Sequence, residues 1–145
     1  MIPSTYDPKK VIITFGGVPI DGYTDGTFVD VTPNDADGFK KKVGANGGVA
    51  WAKSADNTHQ ITISLMQSSV SNQYLSGIRN MDKLTGKGLL PLVITDVNGG
   101  SLQFWPLARI KGDPSSWGYG NELTERQWVI DTGQIATDNR AGVLP

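Results

Sequence analysis

Few residues in the sequence are of the types that catalyse reactions. Histidine occurs once, as His59, at the start of a stretch in which apolar and polar residues alternate. A lone histidine there is typical of an ordinary boundary residue, since no Ser/His/Asp arrangement can be assembled and the G-x-S-x-G motif is absent. The lack of cysteine excludes thiolate nucleophiles, disulfides and cysteine-based zinc sites. We therefore expect a protein that is not an enzyme and that uses no cofactor.

An acidic cluster and two glycine-rich stretches are the candidates for binding ions or phosphate. The cluster comprises Asp30, Asp35 and Asp37, but calcium loops need six or more oxygen ligands and end in a bidentate acid, whereas lysines follow here. The stretches GANGG and SSWGYGN lack the strand-to-helix passage and the Lys-Ser/Thr pair of a phosphate loop. We interpret all three as turns or loops, with no metal site.

Three consecutive lysines, Lys40, Lys41 and Lys42, lie in a predicted strand, where alternation places Lys41 on one face with Phe39 and Val43. Lysine on both faces of a strand favours an exposed hairpin or an edge defended by charge. Contact with phosphate or with an acidic partner is the alternative.

Two large aromatic residues, Trp117 and Tyr119, lie in a polar, glycine-rich stretch that is unable to bury them alone. They either fold back onto the domain, stack on a sugar or anchor in a partner.

The composition indicates a folded domain of 145 residues, with 38% hydrophobic and 19% charged residues. We predict one domain over residues 1–145, with a core at about 10–132 and an extended C-terminal tail at 133–145 that is weakly tied down. With 13 basic and 14 acidic residues, the chain lacks the basic surplus of a nucleic-acid binder. No apolar run approaches the roughly 20 residues of a membrane span, and no signal-peptide pattern is found, so we expect no membrane insertion.

Period-two alternation dominates the chain and predicts seven to nine short strands. The main candidates are 11–15, 18–23, 27–32, 39–43, 49–53, 61–65, 89–96, 101–110 and 122–132. Gly16-Gly17 and Asn46-Gly47 predict tight turns. Pro106 predicts a bulge or an edge position, because proline donates no hydrogen bond to a sheet.

The hydrophobic period changes from two to that of a helix within residues 58–78. One apolar face holds the predicted core residues of a helix at about 69–80, namely Tyr74, Leu75, Ile78 and Met81. Serines at 68, 69 or 71 can cap its start, and Gly86 can end the pattern. We therefore predict a mainly β (α+β) fold, in which two packed antiparallel sheets form a sandwich or barrel with one flanking helix and protruding hairpin loops.

Three segments, in their order and spacing, resemble the tail tube proteins of contractile-tailed bacteriophages, which share a fold with the type VI secretion tube protein. They are an F-x-K-x-V-G-A-x-G hairpin at 39–47, a T-I-x-L-x-Q-x-S-x-S-N strand-to-helix joint within 61–72, and an R-x-W strand at 126–128. The resemblance covers about residues 10–132, and the chain departs from the pattern at GGVAWAKS and SSWGYG.

The resemblance implies a structural virion protein. Six subunits would close a ring, and stacked rings would form a hollow tube through which DNA is ejected without sequence-specific binding. The implied partners are tail sheath, tape-measure, baseplate and tail terminator proteins. The implied location is the virion tail, after assembly in the host bacterial cytoplasm.

A ring needs exposed surfaces that meet an identical neighbour. The candidate interface residues are Phe39, Lys40, Lys41, Lys42, Val43, Trp51, Trp117 and Tyr119. Thr62 and Ser64 are predicted to face the lumen or the solvent. The alternatives are a tube-initiator or baseplate protein of the same fold, a carbohydrate-binding β-sandwich that uses Trp117 and Tyr119, and, least favoured, a small hydrolase.

Overall fold

Alternating apolar residues form ten strands in a computed structural model that describes residues 11–24, 26–97, 100–114, 118–122 and 124–139. The described strands before the helix are β1 (Val11–Phe15), β2 (Val18–Ile20), β3 (Val29–Pro33), β4 (Phe39–Val43), β5 (Val49–Lys53) and β6 (His59–Met66). Helix α1 (Ser71–Thr85) follows. The strands after the helix are β7 (Leu90–Asp96), β8 (Ser101–Ile110), β9 (Glu125–Thr132) and β10 (Thr137–Asn139).

Eight of these strands form one antiparallel sheet in the order β2-β1-β7-β8-β9-β6-β3, with β10 paired to β8. Strands β4 and β5 form a separate two-stranded sheet. The predicted fold class is confirmed: a large antiparallel sheet, a second small sheet and one helix. No closed barrel forms within the described ranges.

The large sheet curls around a single hydrophobic core. Strands from opposite ends of the sheet order contribute to one cluster, for example Phe15 of β1 and Ile63 of β6, both fully buried. After β2 the chain crosses to β6, where Tyr23 forms a bridge with Leu65. Burial of these alternating side chains is the main force that fixes the register of each strand.

The serine-rich joint before α1 holds the end of β2. Ser69 Oγ donates to the backbone oxygen of Asp21 at 2.6 Å, and the Asp21 N–H donates to Ser71 Oγ at 2.9 Å. Ser69 Oγ also accepts from the Ser71 N–H at 3.2 Å, whereas Val70, the N-cap residue, makes no side-chain cap bond. The predicted serine cap is thus provided by Ser69, and the same side chain joins the helix to the sheet.

Helix α1 packs on the core of the curled sheet and extends five residues beyond its predicted end. Leu75 is fully buried, and Tyr74 and Ile78 pack against the core. Met81 is 39% exposed and lies outside the core cluster, so its prediction as a core residue is wrong. The inward stripe runs through Leu75, Ile78 and Asp82, and Met81 is rotated by one residue, about 100°, from that stripe.

Polar bonds hold the C-terminal end of α1. Asp82 forms an ion pair with Arg109 of β8, with 2.8 Å between its carboxylate and Nε, and accepts a hydrogen bond from the Gly88 N–H at 3.1 Å. Arg109 also donates to the backbone oxygen of Gly86, the left-handed residue that ends the helix. Within the described residues, no helix is long and apolar enough to cross a membrane.

Two further predictions about the sheet have clear outcomes. The register of β7 and β8 shifts between Leu90 and Leu92, opposite Pro106, which confirms the predicted bulge.

Ser64 is only 6% exposed, against the prediction that it faces lumen or solvent, because the segment that follows Tyr23 runs beside it. Ser64 donates its N–H to Phe28 O, and its carbonyl accepts from the Thr24 N–H.

The described part of the predicted tail is held more firmly than expected. Ile135 packs against the core, and β10 pairs with β8. The Gln134 amide accepts from the Asn57 N–H at 2.9 Å and donates to the Ala55 carbonyl at 3.0 Å. These contacts join residues 134–139 to the connection between β5 and β6 and to β8, which alternation alone does not predict.

Candidate assembly surfaces

The β4–β5 hairpin is exposed along its whole length. All ten of its strand residues are exposed, because no other strand pairs with it. Its turn confirms the prediction for Asn46-Gly47: Gly47 has φ +87°, and Asn46 Oδ1 accepts from the Gly48 N–H. A two-stranded hairpin without a packed face gains little from hydrophobic burial, so this one is a candidate contact surface.

The two faces of this hairpin differ in chemistry. Strand pairing places six side chains on one face, which we call the hairpin face: Phe39, Lys41, Val43, Val49, Trp51 and Lys53. Phe39 is 61% exposed and Trp51 is 64% exposed, large values for aromatic side chains. The opposite face carries only Lys40, Lys42, Ala50 and Ala52. The apolar groups are therefore concentrated on one side.

Carboxylates tie the base of the hairpin to the rest of the chain. Asp35 accepts from Ser54 Oγ at 2.6 Å and from the Asp37 N–H at 3.1 Å, and the Ser54 bond is the main reason that the pKa of Asp35 is lowered. The pKa of Asp56 is lowered by its bonds to Thr58, whose hydroxyl also accepts from Asn34. Of the predicted acidic cluster, Asp35 thus contributes its carboxylate to the base of the hairpin. No group of three or more potential metal ligands occurs in the described residues.

The second predicted interface region flanks a shallow pocket of about 350 Å³, which lies between α1 and the residues Asp113, Pro114, Tyr119, Arg126 and Trp128. Tyr119 is 81% exposed at its edge, with the Arg126 guanidinium 5.7 Å from the ring centroid. Trp128 lies at the pocket and donates its indole N–H to Asn72 Oδ1 at 2.9 Å. Trp117 lies outside the described residues.

The lone histidine is placed in the interior. His59 is 5% exposed, and its Nδ1 accepts a hydrogen bond from Trp105 Nε1 at 3.1 Å. Its backbone exchanges hydrogen bonds with the Thr132 hydroxyl. These contacts give His59 a structural role in joining β6 to β8 and β9.

The outer face of the β3–β6–β9 part of the sheet is mostly polar, with the half-buried Val129 beside Thr62 as an apolar residue. Cross-strand pairing aligns Asp30 with Thr62, and Thr32 with Gln60 and Asp131. We call these five residues the polar sheet face. Thr62 is half-buried, as expected for a polar residue on an outward face of the sheet.

A relative is known among phage proteins. The chain is 30% identical over 135 residues to "Structural protein ORF10" of Pseudomonas phage KPP10, in an alignment that covers 88% of this chain and 77% of the relative. The chain belongs to this family of phage structural proteins. No model of a described protein family matches the sequence.

The fold of this phage structural protein also occurs in contractile injection systems. It is similar to the cap that terminates the tube of the anti-feeding prophage, with a TM-score of 0.63 and 14% identity over 94% of this chain and 92% of that one. It is similar to the PVC sheath/tube terminator in the extended state, with a TM-score of 0.60 and 11% identity over 93% and 97% of the two chains. A PVC sheath–tube complex gives a TM-score of 0.57 and 12% identity over 90% and 89%. At these identities the likeness concerns the fold.

The predicted interface residues of this phage structural protein fall at two separate places. Six lie on the hairpin, where Lys40 and Lys42 point away from the hairpin face, and Tyr119 lies at the pocket beside α1. Val49 was missed, although its alternation with Trp51 and Lys53 is visible in the sequence. The bonds at the hairpin base were missed because they join residues such as Asp35 and Ser54, for which the sequence carries no pairing signal.

Proposed function

We propose that this phage structural protein is a component of a contractile tail, in which identical copies form a ring that belongs to the tail tube. The observation that carries the proposal is the fully exposed hairpin with one apolar face. Large exposed apolar side chains are costly in a solitary soluble protein and are typical of an interaction site. The shared fold with proteins of tube and sheath complexes supports a place at the tube.

A ring forms when two different surfaces of the same chain meet and the rotation between neighbours closes, and we propose six subunits as in the tail tube proteins that the sequence resembles. Such a contact leaves one surface of each kind unoccupied until the ring closes. Stacking of rings then gives a hollow tube within a sheath, with tape-measure and baseplate proteins as further partners. The polar sheet face is our candidate for the lumen, because its hydroxyl, amide and carboxylate groups give a wetted surface that does not attract phosphate and past which DNA slides without sequence-specific binding.

A terminator is the second candidate function. Two of the similar solved structures are described as a tube-terminating cap and a sheath/tube terminator, and they match more than nine-tenths of this chain. A terminator would form one ring at the end of the tube and contact the sheath as well. A tube subunit would instead stack without limit.

Negative-stain electron microscopy of the concentrated protein separates these functions. Long stacked tubes would support a tube subunit, and single rings that bind the end of a preformed tube would support a terminator. A protein that stays monomeric at high concentration and is missing from the tail of the particle would contradict both. Glycan binding by such a monomer, with Tyr119 in the site, would support the carbohydrate-binding alternative.

Charge reversal in the hairpin tests the assembly surface. Lys41 and Lys42 are exposed and make no contact with the core, so Lys41→Glu/Lys42→Glu should keep the melting temperature and impair ring formation. Tubes of normal length and stability from this variant would exclude the hairpin as the contact. Lys83→Glu on the exposed side of α1 is the matched control for a change of charge alone.

A further inference from the structure

A second apolar surface lies on the outer side of the large sheet. Two cross-strand rows of β1, β7 and β8 form it, and we call it the outer sheet face: Ile12, Thr95 and Leu102 in one row, and Thr14, Val93 and Phe104 in the other. Ile12 is 45% exposed and Leu102 is 37% exposed, and the other four are half-buried. None of the six side chains is charged, in contrast to the polar sheet face on β3, β6 and β9.

We propose that the hairpin face of one copy packs on the outer sheet face of a second copy. This inference rests on the proposed ring function and names the two surfaces that meet. Both surfaces are exposed in the same chain, so neither covers the other within one molecule. Both are β-surfaces with apolar residues in adjacent rows, which pack face to face at about 10 Å.

The distribution of charge also favours a second copy as the occupant. The hairpin carries four of the 13 basic residues and none of the 14 acidic ones, so the rest of the chain has nine basic residues, 14 acidic residues and a net charge of −5. Lys41 and Lys53 lie on the hairpin face itself. The hairpin of one copy is therefore attracted to the body of another. The outer sheet face, which has no charge of its own to bury, receives the apolar side chains of the hairpin face, while Lys41 and Lys53 lay their alkyl stems on it and keep their ammonium groups in water.

The contact joins different surfaces of two identical chains, so it is heterologous. Each copy donates one hairpin and accepts one, which gives a ring when the rotation between neighbours closes. Closure leaves no hairpin face exposed, and this explains how a soluble chain tolerates Phe39 and Trp51 at its surface.

Engineered cysteines test the contact directly, because the chain has no cysteine of its own. Single-cysteine variants of the hairpin face, Val43→Cys and Trp51→Cys, are mixed with Ile12→Cys or Leu102→Cys, assembled and oxidised. At least one of these four mixtures should give a disulfide-linked dimer that depends on assembly. The control mixtures pair Ala52→Cys, on the opposite hairpin face, with Leu102→Cys, and Trp51→Cys with Thr62→Cys on the polar sheet face. They should give none.

Each outcome decides a different point. Rings that form normally but link only through Thr62, or through none of the four mixtures, would overturn the proposed contact and leave the ring function standing. A chain that forms no ring would overturn both. Independently, Leu102→Glu and Trp51→Glu should raise the concentration needed for assembly by at least about tenfold. Ala52→Glu and Thr62→Glu should change it little, with all four variants keeping the wild-type melting temperature.

Discussion

Trp105 donates its indole N–H to Nδ1 of His59 across 3.1 Å, inside the sheet and away from solvent. The two rings also meet edge to face, with centroids 5.6 Å apart. The bond connects β8 with the start of β6, the strand that follows the hairpin base. The lone histidine thus stabilises the part of the fold from which the candidate assembly surface projects.

We expect Trp105→Phe to destabilise the fold by about 1–3 kcal/mol, because the variant removes the indole donor of the buried His59 Nδ1. Urea unfolding measures the change. The double variant Trp105→Phe/His59→Phe should lose less stability than the sum of the two single variants, because it removes both partners. Strictly additive losses would show that the hydrogen bond contributes nothing.

The second prediction concerns the side chains on the buried face of α1. Leu75→Ala should cost about 2–5 kcal/mol, because the side chain is fully buried in the core. Ile78→Ala should cost less, since Ile78 is only partly buried. Met81→Ala, at a site 39% exposed, should stay below about 1 kcal/mol. If Met81→Ala destabilised the fold as much as Leu75→Ala, Met81 would have to be a core residue.

Alternation predicts much of the strand structure because every second residue of a strand lies on the buried face and is apolar. The bounds of β1, β4, β5 and β8 agree with the predicted ones. The end of α1 does not, since the turn after Asn80 is polar and is held by Asp82, whose partner Arg109 lies 27 positions away. Strand β10 was not predicted either, because Thr137–Asn139 is short and polar and is held by pairing with β8.

The candidate site was predictable to a similar extent. Lysine on both faces of a strand indicates an exposed hairpin without any knowledge of the fold. The polar bonds at its base depend on distant pairs such as Asn57 and Gln134, which only the folded chain brings together. The outer sheet face has the same limit, since β1, β7 and β8 become neighbours through the sheet order.

Alkaline titration provides a third prediction, centred on Tyr23. Burial, followed by the nearby charge of Asp21, raises the pKa of Tyr23 to about 12, and the phenol donates to the Ile20 carbonyl. The folded-state pKa lies above the ordinary value of 10, so folding favours the neutral phenol. This contribution is fully present below pH 10 and is lost as the pH rises through about 12.

Ultraviolet titration of the tyrosines, with unfolding followed over the same range, measures this effect. Tyr23 and Tyr74 should both ionise later than usual, because burial raises the pKa of each, and Tyr23→Phe should remove the step near pH 12 and weaken the fall in stability above pH 10. If the Tyr23→Phe variant loses as much stability at high pH as the wild type does, that loss comes from other groups.

Two glycines with the same backbone angle allow the serine joint to be tested by itself. Gly22 and Gly26 both have φ +81°, which costs an L-residue about 1–2 kcal/mol. A Cβ at Gly22 would lie 2.5 Å from Ser69 Oγ, whereas a Cβ at Gly26 would meet nothing within 4 Å. Gly22→Ala should therefore destabilise the fold more than Gly26→Ala, and the difference measures how closely the joint packs on the end of β2. Equal losses would mean that Ser69 can move aside, and the hydrogen bond from Ser69 to Asp21 would then be too weak to fix the helix on the sheet.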